Sequence, residues 1–397
     1  MIAEDDPSPH PRPPPACPHP GCPGCALAHL PAPEQQETKR HTVAEALALH
    51  LGRIVPVDAV VAAPRPTGYR AGAKLAFGRQ GTRVILGIFA RGSHRVVDIP
   101  RCPAHAPAVA TAARALRTLV GRAPGLVWQG PGGQGWLRYV ALQESRATGR
   151  VAATLVTRTD EGAGTLRSLA TRLQEAVPAV VGVAWNVNSS SGNAVFGPRW
   201  EPILGDPVLK ERFLGLEIQA SPGAFLQANR ELADEAYRAL VEALAPAPTD
   251  DVLDLYSGVG VTAVALAARA RRVIGVEANP VTADDARANA RRAGAENALF
   301  RQGDAAAETW ELVSEGFRPA AAVLNPARKG ADPGVIDALA ALEPRRIAYL
   351  SCNPQTLARD LALLVEQAPY RIVRVTPYDF LPGTDHVEAL VILEHGP

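Results

Sequence analysis

The 397-residue chain contains no run of 18 apolar residues, and its opening stretch, Met1 to Pro15, is acidic and proline-rich with no apolar h-region. Neither a membrane span nor an export leader is expected, so the sequence reads as cytoplasmic. Charge of one sign is lacking too. The 41 Lys plus Arg and 40 Asp plus Glu leave a net charge of +1, and any attraction to nucleic acid must come from local clustering. Five cysteines are too few for a disulfide scaffold in a chain this long. Four of them fall within the first 102 residues, a pattern that favours metal or cluster ligation in a reducing compartment. No internal repeat or coiled-coil heptad appears. Apolar residues are not scarce: 47% hydrophobic against 20% charged supports more than one core and excludes disorder as the main state.

Eleven of the 36 prolines precede residue 34, which disfavours regular structure there and makes residues 1–16 a loose tail. A short amphipathic helix is expected from Lys39 to Leu51, followed by antiparallel strands within 68–99, where Arg79-Gln80-Gly81 marks a turn. Strands at 136–143, 151–157 and 181–187, with helices at 108–122 and 163–176, give an α+β unit. After residue 216 strands and helices alternate, the signature of a parallel, doubly wound sheet with seven strand candidates. The expected division is residues 1–30 as tail and cysteine segment, 31–215 as an α+β domain, and 216–397 as an α/β, Rossmann-like domain.

Chemistry-bearing residues concentrate at predicted strand ends. Asp254-Leu-Tyr256-Ser-Gly258-Val-Gly260 follows the first strand of the last domain and opens a helix, so its glycines allow close backbone approach to a ligand. Glu277 ends the second strand, where an acid can accept both ribose hydroxyls. Two glycines instead of three suit S-adenosylmethionine better than a dinucleotide, and Asp304, ending the third strand, is a candidate adenine contact. Ser351-Cys352-Asn353-Pro354 ends the fifth strand; a thiol at the mouth of a parallel sheet can be presented to substrate as a nucleophile. Glu388 starts the last strand inside an apolar run and is a candidate base.

These motifs resemble the RNA (uracil-5-)methyltransferase family over nearly the whole length. The cofactor loop, Ser351-Cys-Asn-Pro354, and Pro382-x-Thr-x-His-Val-Glu388 match it, and Ser221-Pro-Gly-Ala-Phe225-Leu-Gln227-Ala-Asn229 resembles its Ser-Phe-Phe-Gln-x-Asn segment. The resemblance implies a seven-stranded methyltransferase domain using S-adenosylmethionine, with Cys352 as nucleophile, Glu388 as base and Gln227 as a binding residue. One departure stands out: the family's Asp-Pro-Pro-Arg-x-Gly reads Asn325-Pro-Ala-Arg328-Lys-Gly330 here. Asparagine keeps an aspartate's carbonyl acceptor but cannot act as a base, so a binding role is expected for Asn325 and an RNA-binding or assembly factor with little activity is the alternative reading.

Cys17, Cys22, Cys25 and Cys102 can hold zinc or an iron–sulfur cluster, and His29 keeps a three-cysteine, one-histidine zinc site open. The ribosomal branch of the family carries a [4Fe-4S] cluster on this pattern. The resemblance therefore implies 23S ribosomal RNA as substrate in a monomeric enzyme of the short form lacking an N-terminal β-barrel, with transfer RNA as alternative. Between Arg65 and Arg101 eight basic residues (Arg65, Arg70, Lys74, Arg79, Arg83, Arg91, Arg95 and Arg101) face one acid, Asp98. Tyr69, Phe77 and Phe89 are interspersed, the last two expected to point into the core; the segment combines phosphate-binding cations with candidate stacking faces, so 31–215 is expected to be an α+β RNA-binding domain.

Overall fold

The computed structural model describes residues 17–19, 21–192 and 194–396; the expected tail at 1–16 lies outside them. After helix α1 (Ala32–Leu51) come strands β1 (Gly72–Gln80), β2 (Arg83–Phe89) and β3 (Val96–Asp98), helix α2 (Pro107–Gly121), strands β4 (Leu137–Glu144) and β5 (Val151–Thr157), helix α3 (Ala163–Ala176), and strands β6 (Val180–Val187) and β7 (Arg199–Gly205). The seven strands form one sheet in the order β3-β2-β1-β4-β5-β6-β7. All pairs are antiparallel except β5–β6, which α3 connects as a crossover. Alternation divides its faces: Ala73, Leu75, Phe77, Val140 and Leu142 pack beneath Val109 and Leu116 of α2 and Leu166 and Leu173 of α3. Among the described residues no helix covers the opposite face.

A hairpin of β8 (Leu209–Phe213) and β9 (Leu216–Ala220) leads to helix α4 (Arg230–Leu244) and the alternating part of the chain. This comprises β10 (Asp251–Leu255), α5 (Val261–Ala267), β11 (Arg272–Glu277), α6 (Pro280–Arg292), β12 (Ala298–Gln302), α7 (Ala305–Ser314), β13 (Ala321–Leu324), α8 (Pro333–Leu342), β14 (Arg346–Ser351), α9 (Pro354–Gln367), β15 (Tyr370–Tyr378) and β16 (Glu388–His395). The second sheet runs β12-β11-β10-β13-β14-β16-β15, with β16 inserted antiparallel between β14 and β15. The mixed α/β fold and the seven-stranded sheet agree with expectation. Its strands are buried on both faces, one core holding Leu253, Leu324 and Tyr349 and the other Val252, Val323 and Leu350.

Packing does not follow the expected boundaries at 31 and 215. Helix α1 starts at Ala32, with Pro33 tolerated in its first turn. Its stripe of Val43, Ala46 and Leu47 enters the core of the second sheet, beside α9, rather than the first unit. Residue 215 falls in the turn of the β8–β9 hairpin, whose Phe213 and Ile218 share a core with α4 and α5. Among the described residues no helix is long and apolar enough to cross a membrane.

Candidate active site

At the carboxyl end of β10 the chain turns through Tyr256 (φ 60°) and Gly258 (φ 56°) to Gly260, which caps α5 at φ 85°. A Cβ on Gly260 would lie 2.9 Å from the Phe300 ring and 3.1 Å from Ala286, so helix-to-sheet packing requires glycine. Nothing lies within 4 Å of the corresponding position at Gly258, which leaves the loop open on that side. Glu277 accepts from the backbone N–H groups of Gly258 (3.0 Å) and Asn279 (2.8 Å). These two bonds fix its carboxylate at the crevice with lone pairs to spare for further donors. Asp254 lies beneath the loop, fully buried, accepting from Thr262 Oγ1 at 2.6 Å. Burial pushes it up to about 7. Asp304 caps α7 by accepting from Ala306 N and Ala307 N through Oδ1. Tyr256 is half-buried with its hydroxyl facing Asp332 N. Asn325 is half-buried at the end of β13, its N–H donating to Leu255 O, the carbonyl closing β10.

The register of β14 on β16 brings together two distant parts of the sequence. Ser351 pairs with Ala389, so Cys352, one residue beyond, faces Glu388, one residue before. Burial raises the Cys352 thiol, the Glu388 charge raises it further, and the Arg328 guanidinium opposes both. Glu388 is pushed up to about 8 by loss of water around its carboxyl, again opposed by Arg328. Cys352 also immediately precedes Asn353, the N-cap of the 14-residue α9, where the helix dipole favours an anion. Nucleophile candidate, base candidate and a cation thus share one corner of the crevice.

Arg328 is the residue whose part the sequence left unassigned. Its carbonyl accepts from Asn353 Nδ2 (2.9 Å) and Thr356 Oγ1 (3.3 Å), and its Nη2 lies 3.3 Å from His386 Nδ1. Behind it, Asp360 accepts from Ala331 N (2.8 Å) and Tyr349 Oη (2.6 Å). The loop after β13 is therefore tied to β14 and α9. Gln227 is buried on the segment before α4; Asn229 caps that helix and donates to Phe380 O at 3.2 Å.

The loop leading into Glu388 is gripped from the N-terminal half. Lys39, fully buried on α1, pairs with Asp379 and donates to Leu381 O at 3.1 Å. Tyr69 donates to Pro382 O at 3.0 Å, and Gly383 N donates to Gln35 Oε1 at 2.8 Å. Leu27, two residues after Cys25, donates to Gly383 O at 2.9 Å. Pairings across more than 300 residues leave no local sequence signal, and none was found by reading the sequence.

The four N-terminal cysteines converge. Cys22 and Cys102 pack at the margin of the first core. Cys25 is pushed up to about 11, chiefly by burial and then by the neighbouring Cys102, Cys17 and Cys22. None forms a disulfide. Among the described residues no three His, Cys, Asp or Glu side chains are grouped as around a single metal ion. His29 is exposed.

Of the basic segment, Arg65 pairs with Glu231 and Arg83 with Asp98. Arg70 donates to Gly72 O, and Lys74 lies over the Phe196 ring at 4.9 Å. Phe77 is core, as expected. Phe89 is not: it lies on the helix-free face beside Tyr139, because even spacing from Ile85 puts it opposite Val84 and Leu86. Tyr69 is buried, so it offers no stacking face.

A seven-stranded sheet of this order, with a glycine-rich loop and an acid at adjacent strand ends, defines an S-adenosylmethionine-dependent methyltransferase. Residues 214–396 match the family model described as tRNA (uracil-5-)-methyltransferase. The chain is 37% identical to a Geobacter sulfurreducens protein described as an uncharacterized RNA methyltransferase, over 96% of its own length and 77% of that protein's. It is 34% identical to one of Nostoc, covering 98% and 84%. A solved structure of a Pyrococcus abyssi tRNA (uracil-54, C5)-methyltransferase, in complex with S-adenosyl-L-homocysteine, superposes with a TM-score of 0.72 at 27% identity, covering 94% of this chain and 86% of that one. The chain belongs to the RNA (uracil-5-)methyltransferase family. It is an enzyme that methylates RNA.

Proposed function

We propose that the protein methylates carbon 5 of a uridine in 23S ribosomal RNA through a covalent adduct between Cys352 and carbon 6 of the base. The observation that carries this reading is the facing pair Cys352 and Glu388 with the Arg328 charge acting on both. S-adenosylmethionine supplies an electrophilic methyl group. Glu277 would take the ribose hydroxyls, the backbone of Tyr256, Gly258 and Gly260 would approach the ligand, and Asp304, Asn325 and Gln227 would complete its cradle.

Carbon 5 of uracil is a weak nucleophile. The Cys352 thiolate adds at carbon 6, the electron pair of the ring double bond moves onto the enolate, and carbon 5 becomes able to take the methyl group. Glu388 then removes the proton from carbon 5, the double bond re-forms, and the thiolate leaves. Arg328 lowers the cost of an anion on either side chain. A target base stacked in RNA has to be extruded to reach this corner, at a few kcal/mol that contacts elsewhere offset. Asn325 has an acceptor but no basic function, and no step calls on one there.

The four thiols are assigned to a [4Fe-4S] cluster, with zinc as the alternative. They are near enough to raise one another's pKa, and four thiols with no other ligand type among them match the all-cysteine set that holds such a cluster. Cys22 and Cys102 border the first core and Leu27, two residues after Cys25, bonds the Gly383 loop, so a cluster held here would tether that loop to the first sheet. The ribosomal assignment rests on this cysteine set. Transfer RNA is the second reading, favoured by the family description and by the Pyrococcus abyssi structure. Mass spectrometry of ribosomal and transfer RNA from cells with and without the gene separates them: one 5-methyluridine lost from 23S RNA supports the proposal, and loss from transfer RNA alone overturns the substrate.

A further inference from the structure

The helix-free face of the first sheet holds a cavity of about 550 Å³ that the methyl-transfer site does not use. Its floor is Ala76, Gly78 and Ile85, small or aliphatic residues of β1 and β2. Its walls are aromatic. Tyr139 and Phe89 meet edge to face at 6.2 Å, and His94 meets Phe89 at 5.6 Å. Trp128 stands on the other side with the buried Arg138 guanidinium 4.7 Å from its ring and 5.0 Å from that of Tyr139. Arg138 is held by the carbonyls of Asn188 (2.6 Å) and Ser190 (2.8 Å), and its Nε has no partner. Arg79 and Arg95 are exposed at the rim, and no Asp or Glu is among the residues that line the cavity.

We infer that this cavity binds an unpaired nucleotide of the RNA substrate, its base against Trp128 and Phe89 and its phosphate at Arg79 and Arg95. The inference rests on RNA as substrate and names a second contact for it, away from the reacting uridine. Volume and lining suit a nucleoside: aromatic faces stack any base, and cations without acids select a polyanion. The face is also continuous with the crevice. At one end of β1, Ala71 N donates to Ala228 O, beside Gln227, and Gln143 faces the carbonyl of Ala224. The cavity lies six residues along, roughly 20 Å at strand rise, with Lys74 and Phe196 between. Phe225, 68% exposed, projects at the crevice end. A single strand leaving the extruded uridine would run along this face.

The test uses a twelve-nucleotide oligouridylate and an abasic ribose-phosphate oligomer of equal charge, each titrated against the full-length protein at fixed salt. Wild type is expected to bind the base-bearing oligomer about tenfold or more tightly than the abasic one, the range of one stacked base, with quenching of tryptophan fluorescence. Trp128→Ala should remove most of that preference, and Arg79→Gln with Arg95→Gln should weaken both oligomers and flatten the salt dependence. His94→Ala, at an exposed position, provides a variant with little risk to folding, and photocrosslinking to wild type followed by peptide mapping should place adducts at Trp128, Tyr139 or Phe89. Failure of wild type to prefer the base-bearing oligomer overturns the inference. So do crosslinks confined to the Cys352 crevice, or a folded Trp128→Ala that keeps the full preference. Failure of the methylation proposal is read separately, as absence of 5-methyluridine in RNA incubated with the enzyme and S-adenosylmethionine.

Discussion

The two seven-stranded sheets face opposite demands. The second is parallel apart from β16 and covered on both faces, so its chemistry is confined to strand ends, where buried carboxyls and a thiol lose water. The first is mostly antiparallel, covered on one face, and presents the other to solvent through aromatics and arginines. Burial in one sheet tunes reactivity; openness in the other offers area and charge. The proposed extrusion of one base from a polymer would use both: a dry corner for the reacting ring and a cationic surface for the rest of the strand.

Replacing the proposed nucleophile breaks this comparison most sharply. Cys352→Ala should abolish methyl transfer in a single-turnover assay while RNA affinity, which the proposal assigns to the first sheet, persists; parallel loss of binding would contradict the division of labour. Glu388→Gln should slow turnover by about 10²- to 10⁴-fold. Because the step it removes follows adduct formation, a protein–RNA species should accumulate on denaturing gels.

Lys39→Met comes next, since it leaves Asp379 buried without its cation at the junction of α1 and the base-bearing loop. A destabilisation of about 3–5 kcal/mol is expected in denaturant unfolding. A change below about 1 kcal/mol would show that the pair contributes little net stability.

The pH dependence is the subtlest. Glu388, pushed up to about 8, holds a proton in the folded chain that the unfolded chain gives up near pH 4. Its contribution to stability is complete below that value and is lost as pH rises through about 8. Glu388→Gln should therefore gain thermal stability relative to wild type between roughly pH 5 and 9, by at most a few kcal/mol. Methyl transfer by wild type should rise over the same interval, as both Cys352 and Glu388 ionise more readily at higher pH. A rate that falls with pH would remove Glu388 as the base.

Much of the second sheet was legible because its signals are local: continuous apolar strands, a glycine loop, an acid after the next strand, and Ser-Cys-Asn-Pro before a helix. The first sheet was less so. Strand β7, Arg-Trp-Glu-Pro-Ile-Leu-Gly, was not among the expected strands; it carries Pro202, which is tolerated because β7 lies at the sheet edge. Phe89 was expected in the core because its neighbours are apolar, but period-two alternation sends it to the open face. Helix α1 was assigned to the nearer unit in sequence, although its apolar stripe completes the more distant core. The Lys39, Gln35 and Tyr69 contacts with the 379–383 loop were illegible, since a buried lysine carries no mark distinguishing it from a surface one. The function of Arg328 could have been suspected from its place between the two candidate groups' motifs, but its electrostatic role depends on strand register.

The most direct test of the central claim is intact-mass and peptide analysis of Glu388→Gln after incubation with unmodified ribosomal RNA and S-adenosylmethionine, followed by nuclease digestion. The account predicts a 5-methylated uridine nucleotide attached to the peptide containing Cys352. Full methylation of the RNA with no adduct, or an adduct on any other cysteine, would contradict it.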